Sequence, residues 1–155
     1  MGLEIERKFL VDHNKWGQVS KPEGTHYRQG YMLSDGQRTI RVRVSDKKAF
    51  LNLKSKMSQV SRKEYEYEVP LQEGIEMLDA FTTRGTEKTR YCIPVAGKIW
   101  EVDVFSGDNA GLIVAEIELK SEDEQFEKPD WITDEVTYDG RYTNAALSTH
   151  PYKAW

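Results

Sequence analysis

The sequence predicts an α+β fold that is mainly antiparallel β: eight strands closing into a barrel with a charged lumen and a few covering helices. Three observations lead there. Eight short segments alternate polar and apolar residues with a period of two, which is the signature of a half-buried strand. Turn-forming residues separate most of these segments by a few positions, as antiparallel neighbours require. The polar face of nearly every segment is ionic, and it sorts largely by strand into acidic rows and basic rows.

The first strand runs from Glu4 to Val11, and Asp12 is placed to cap a short helix through Val19. His26 to Leu33 and Gln37 to Val44 flank Ser34-Asp35-Gly36, an Asp-Gly hairpin signal. Ala49 to Ser55 follows the polar turn Asp46-Lys47-Lys48. Arg62 to Val69 alternates cleanly and stops at Pro70. Lys88 to Ile93 and Lys98 to Phe105 flank Pro94-Val95-Ala96-Gly97, and Leu112 to Lys120 follows Gly107-Asp108-Asn109. Between the strands, Leu71 to Thr83 carries Ile75, Leu78 and Phe81 near helical spacing, with Gly85 placed to end the helix. Ser121-Glu122-Asp123-Glu124 fits a capping box opening a short helix before Pro129, and Asn144 to Thr149 after Thr143 reads as another. No repeat, low-complexity tract or linker interrupts the chain, so residues 1–155 read as a single domain.

Composition narrows the function. Charged residues make up 31% and hydrophobic residues 38% of the 155 positions. With 26 acidic against 22 basic residues the net charge is −4, which argues against a nucleic-acid backbone as partner. Apolar runs are too short for a membrane span. The charged start, Glu4-Ile5-Glu6-Arg7-Lys8, occupies the place where a signal peptide needs apolar residues. Cys92 is the one cysteine, so no internal disulfide forms and a cytoplasmic location is the default. His13, His26 and His150 are scattered without a zinc pattern, and there is no nucleophile elbow or P-loop. Trp16, Trp100, Trp131 and Trp155 read as packing residues.

Strand parity then gathers the charges. Glu4, Glu6 and Lys8 share one face, with Ile5, Phe9 and Val11 opposite. Arg41 and Arg43 are in phase, as are Asn52 and Lys54, then Glu64, Glu66 and Glu68. Lys88 pairs in phase with Arg90, Glu101 with Asp103, and Glu116 with Glu118 and Lys120. One account leaves these faces in water above a single packed face. The other turns them inward, where the basic rows call for a compact polyanion. The carboxylate rows then call for a hard divalent cation, Mg²⁺ or Mn²⁺. A polyphosphate carrying metal satisfies both rows. Helices must then cover the outward apolar faces, and the helix from Leu71 is a candidate.

These residues resemble a known family. Glu4-Ile5-Glu6-Arg7-Lys8 fits the Glu-x-Glu-x-Lys signature of CYTH domains, the triphosphate tunnel metalloenzymes. Gln29-Gly30-Tyr31, Thr39 to Arg43, Leu53-Lys54-Ser55, Arg62 to Glu66, Glu87 to Tyr91, Glu101 to Phe105 and Glu116-Ile117-Glu118 are similar to its later strands, in order. Glu135-Val136-Thr137 and Arg141 to Asn144 resemble its C-terminal segment. The resemblance implies that Lys8, Arg41, Arg43, Lys54, Lys88 and Arg90 contact phosphates. It implies that Glu4, Glu6, Glu116 and Glu118 hold metal, with Asp103 a further candidate. Among family members, a short chain such as this is most similar to the bacterial inorganic triphosphatases.

The expected activity is metal-dependent hydrolysis of a triphosphate, tripolyphosphate foremost, with metal and basic side chains stabilising charge on the phosphates. The attacking water needs an orienter. Lys88 with Tyr31 is one choice and Glu66 another, and the sequence does not choose. Two other readings stand beside this one: a cyclase or phosphatase acting on ATP or thiamine triphosphate, and a non-catalytic polyphosphate-binding module. The sequence leaves the oligomeric state open.

Overall fold

The computed structural model describes residues 2–82 and 85–155. Nine strands and three α-helices follow one another as β1 (Gly2–Val11), α1 (His13–Gly17), β2 (Thr25–Ser34), β3 (Arg38–Val44), β4 (Ala49–Lys56), β5 (Ser61–Val69), α2 (Leu71–Phe81), β6 (Gly85–Val95), β7 (Lys98–Ser106), β8 (Ile113–Glu118), β9 (Ile132–Glu135) and α3 (Asn144–Thr149). The ladder order is β5-β4-β3-β2-β6-β7-β8-β1-β9, and β5 also pairs with β1. That last pairing closes eight antiparallel strands into a ring. One edge of β1 serves two partners in turn: Gly2 to Ile5 pair with β5, and Phe9 and Val11 pair with β9. The edge of β1 that emerges past β5 is therefore covered.

Local chemistry sets the hairpins. Asp35 Oδ1 accepts from the backbone N–H groups of Gln37 and Arg38 at 3.0 and 2.7 Å, and Gly36 adopts a φ of 86°. Ala96 and Gly97, with φ of 51° and 81°, form the tight turn between β6 and β7, whose twist matches that of paired strands.

The apolar strand faces point outward and are covered around much of the ring, while Leu3, Tyr65, Tyr67 and Ile99 stay exposed. Leu71, Ile75, Met77 and Leu78 of α2 pack on Val42, Val44 and Ala49. Trp16 of α1, together with Phe126 and Trp131, covers Phe9, Trp100 and Ile117 through edge-on aromatic contacts. A smaller cluster of Phe105, Leu112 and Val114 packs with Leu147 of α3. Its strand residues share the parity of the charged rows, so α3 closes part of the lumen with an apolar plug.

Four sequence expectations are corrected. The capping box at Ser121 opens no helix: Ser121 Oγ donates to Asp123, and Glu124 accepts from the Lys120 N–H while pairing with Lys98. Those bonds, with Phe126 drawn onto Phe9 and Trp100, hold the segment irregular. Asp12 does cap α1, accepting from Lys15 N at 2.9 Å, but α1 ends at Gly17. Helix α2 ends at Phe81, and the expected end at Thr83 lies outside the described residues. Gly85 opens β6 rather than ending α2. A Cβ there would lie 2.0 Å from the Gln29 carbonyl oxygen, so a close backbone approach explains the glycine. Strand β9 was not foreseen.

Candidate functional site

Ladder register carries every charged row to the lumen. Glu6 faces Glu118 and Lys8 faces Glu116, which faces Glu101. Asp103 faces Arg90, and Tyr27 faces Lys88. Gln29 faces Arg43, Tyr31 faces Arg41, Arg41 faces Asn52, and Lys54 faces Glu64. Arg62 faces Glu4, which completes the circuit. A cavity of about 590 Å³ opens into this lumen, lined by Glu6, Lys8, Tyr31, Arg41, Asn52 and Lys54 among others.

Three ion clusters organise the interior. Lys54 Nζ lies 2.9 Å from Glu4 and 3.8 Å from Glu64, while Arg62 lies 3.9 Å from Glu4 and 3.4 Å from Glu6. Lys88 is 0% exposed and donates to Asp103 at 2.7 Å, and Arg90 grips the same carboxylate at 2.8 and 3.0 Å and Glu101 at 3.2 Å. Glu66 accepts from Asn52 at 3.1 Å and lies 3.6 Å from Arg43. Lys8 bridges outward, lying 3.5 Å from Glu116 and donating to the Tyr142 carbonyl at 3.2 Å.

Protonation follows from this crowding. Burial, then the neighbouring Glu116, pushes Glu6 up to about 8. Burial would raise Glu116 too, but Lys8, Arg90 and Lys88 hold it well below the carboxylate range, and it is hydrogen-bonded by Glu6. The pair shares one proton. Burial also raises Glu4, against Lys54, and Glu4 hydrogen-bonds Glu64. Burial pushes Lys88 down to about 7, with Asp103 opposing and Arg90 adding to the fall.

The donor set fits a divalent cation. Among the described residues, no three Asp, Glu, His or Cys side chains already converge on one point. Yet two carboxyl pairs face each other: Glu6 with Glu116, across a proton that a hard cation would replace, and Glu4 with Glu64. Asp103 is occupied by Lys88 and Arg90, and Glu118 lies exposed at the rim beside Glu101. Those two suit a metal less than Glu4, Glu6 and Glu116 do.

The sequence profile of the CYTH domain matches residues 2–148. The chain belongs to the CYTH family. A curated relative, the inorganic triphosphatase of Acetivibrio thermocellus, is 46% identical over 99% of this chain and 97% of its own. The inorganic triphosphatase of Nitrosomonas europaea is 37% identical over 94% and 96%. Among solved structures, the inorganic triphosphatase NE1496 superposes with a TM-score of 0.64 at 36% identity, covering 94% of this chain and 93% of its own.

Within this CYTH chain the expected residues lie on the inner face of the ring, with Glu66 and Glu118 at exposed positions and with one exception in their pairing. Lys88 has Tyr27 beside it, while Tyr31 lies four residues further along β2, about 13 Å of strand. Several lumen residues had no assigned role from sequence: Gln29, Asn52, Arg62, Glu64 and Glu101. The same period of two that placed their neighbours also places them. No helix among the described residues is long and apolar enough to cross a membrane.

Proposed function

We propose that this protein is a metal-dependent inorganic triphosphatase that hydrolyses tripolyphosphate to pyrophosphate and phosphate, with residues 1–155 acting as one tunnel domain. The observation that carries this reading is the opposition of rows on the inner face of the ring: Arg41 and Arg43, whose buried Nε donors have no partner among the described residues, against the carboxyl pairs Glu6 with Glu116 and Glu4 with Glu64. Both curated relatives are inorganic triphosphatases matched along almost their whole length, which supports the same reaction.

In this reading Lys8, Arg41, Arg43, Lys54, Lys88 and Arg90 bind the phosphate chain and neutralise charge on the departing phosphate. Glu4, Glu6 and Glu116 hold the divalent metal, Mg²⁺ or Mn²⁺, with Glu64 beside them and Asp103 and Glu118 further out. When bound, the metal neutralises phosphate oxygens and polarises the chain toward attack. Lys88, which burial lowers to about 7, is the favoured proton acceptor. Glu66 is tied up by Asn52 and Arg43, and Tyr31 sits with Arg41 at the cavity, where it orients an end phosphate. A cytoplasmic location belongs to the same reading. The exposed Cys92 is unpaired, as thiols are in a reducing compartment.

Phosphate release from tripolyphosphate, ATP and pyrophosphate, with Mg²⁺ or Mn²⁺ and with excess chelator, tests the proposal. Release from tripolyphosphate that stops with chelator supports it. Full activity in chelator removes the metal, and no release from tripolyphosphate removes the reaction.

A further inference from the structure

Strand β2 lies between two cationic strands, β6 with Lys88 and Arg90 and β3 with Arg41 and Arg43. Between Tyr27, which faces Lys88, and Tyr31, which faces Arg41, β2 contributes Gln29, facing Thr86 on one side and Arg43 on the other. Gln29 is 1% exposed. Its Nε2 donates to Thr86 Oγ1 at 3.0 Å, which fixes the amide and leaves the carbonyl end free. Among the described residues Gln29 Oε1 has no hydrogen-bond partner, and neither do the Nε groups of Arg41 and Arg43. A buried polar atom left unpaired is costly, so a partner is expected in the working state.

The chemistry of that partner is constrained. The two guanidinium donors suit phosphate oxygens. A carbonyl oxygen is an acceptor, and an ionised phosphate oxygen is also an acceptor, so the two repel unless a donor stands between them. Water is such a donor, and it needs two to four polar partners to be held in a buried site. A water that donates one hydrogen to Gln29 Oε1 while lying against the phosphate chain is in place to attack phosphorus.

From this geometry we propose that Gln29 is a catalytic residue that holds the attacking water, with Thr86 as its positioning residue. The inference rests on the triphosphatase reading above. In the step itself the water oxygen forms a bond to a terminal phosphorus, and the bridging P–O bond breaks, its electron pair leaving on pyrophosphate. One water proton stays on the new phosphate, and the other passes by way of Lys88, the proton acceptor of that reading, to the pyrophosphate. Gln29 accepts a hydrogen bond throughout and never the proton.

The test compares wild type, Gln29→Met and Thr86→Val on tripolyphosphate with Mg²⁺, alongside calorimetric binding of tripolyphosphate in Ca²⁺. Methionine keeps the volume and removes the acceptor. Gln29→Met is expected to lower kcat by about a hundredfold, within the range for a group acting on the reacting water, with KM and Ca²⁺-supported binding within about twofold. Thr86→Val frees the amide to rotate and is expected to lower kcat about tenfold, again with KM unchanged. Should Gln29→Met fail to fold by circular dichroism, Thr86→Val carries the test. A kcat within threefold of wild type for the folded variant overturns the assignment. So does a loss confined to KM and binding, which would make Gln29 a phosphate ligand. Wild-type protein inactive on tripolyphosphate would instead remove the underlying reading, so the two failures are told apart.

Discussion

Lys54 Nζ lies 2.9 Å from Glu4 Oε1, tying β4 to β1 past the intervening β5. The same ammonium reaches Glu64 at 3.8 Å. One cation thus balances carboxylates from two strands at the seam where the ring closes. Lys54→Met removes the charge and keeps the stem. It leaves Glu4 and Glu64 facing each other, so stability is expected to fall by about 2 kcal/mol. It also removes a phosphate donor, so kcat/KM for tripolyphosphate is expected to fall by about a hundredfold. Urea unfolding and initial rates check the two halves separately. A variant with wild-type values in both would detach Lys54 from seam and site alike.

Glu6 makes the response to metal depend on pH. Its folded pKa is about 8, raised above the ordinary value of 4.5 by burial and by Glu116. A raised carboxyl favours the folded state while protonated, and that contribution is lost as pH rises from 4.5 through 8. A bound cation replaces the proton, so its stabilising effect grows over the same window. The thermal midpoint without metal should fall between pH 5 and pH 6.5, below the range in which Lys88 titrates, and the gain on adding Mg²⁺ should widen. In Glu6→Gln the gain should become flat with pH. A gain equal at both pH values in wild type would take Glu6 out of the metal site.

Much of this arrangement was legible because a strand's period is two. Once Glu4, Glu6 and Lys8 share a face, their partners across the ladder must share it too, and the rows at Arg41, Lys88 and Glu116 follow. The inward sense of those faces was legible from their ionic content, since a solvent-facing strand has no need of it. What escaped detection depended on contacts remote in sequence. Strand β9, with Asp134 and Glu135 in its four residues, has no strand signal of its own. It forms because β1 offers a free edge and Arg7 grips Glu135 at 2.8 and 2.6 Å. The segment at Ser121 carries a helix signal that Phe126 overrides by packing on Phe9 and Trp100. The pairing of Lys88 with Tyr27 rather than Tyr31 is a matter of register between β2 and β6, which turn residues alone do not set.

Helix α2 presses on the outer face at one tight point. A Cβ on Gly74 would lie 2.2 Å from the Ala49 Cβ, a rigid atom on β4. Gly74→Ala must lift the helix away from Val44 and Ala49. Alanine favours the helix by about 1 kcal/mol, yet overpacking costs about 1–3 kcal/mol, so a net loss is expected. Chemical unfolding measures it, and activity at low temperature should stay near wild type because α2 lies outside the lumen. A stabilised variant would show that the helix can shift without strain.

Substrate choice follows from what the lumen offers. Six basic side chains, Lys8, Arg41, Arg43, Lys54, Lys88 and Arg90, face the interior together with the carboxyl pairs, and a linear triphosphate can use every position. A nucleoside on one end adds bulk at the cavity, whose lining includes Tyr31, paired with Arg41 across the ladder. Binding energy is therefore spent on the phosphates that react rather than on a base. Tripolyphosphate is expected to be hydrolysed at least about tenfold more efficiently than ATP, which is about 1.4 kcal/mol of transition-state preference. Tyr31→Phe tests whether stacking contributes: it keeps the ring and should leave the ATP rate unchanged, while Tyr31→Ala should lower it only if a base rests there. Initial rates at low substrate concentration give the ratio, and chromatography of the ATP reaction detects any cyclic AMP. Equal efficiencies, or cyclic AMP as the main product, would assign the lumen to a nucleotide and leave the fold and the metal site standing.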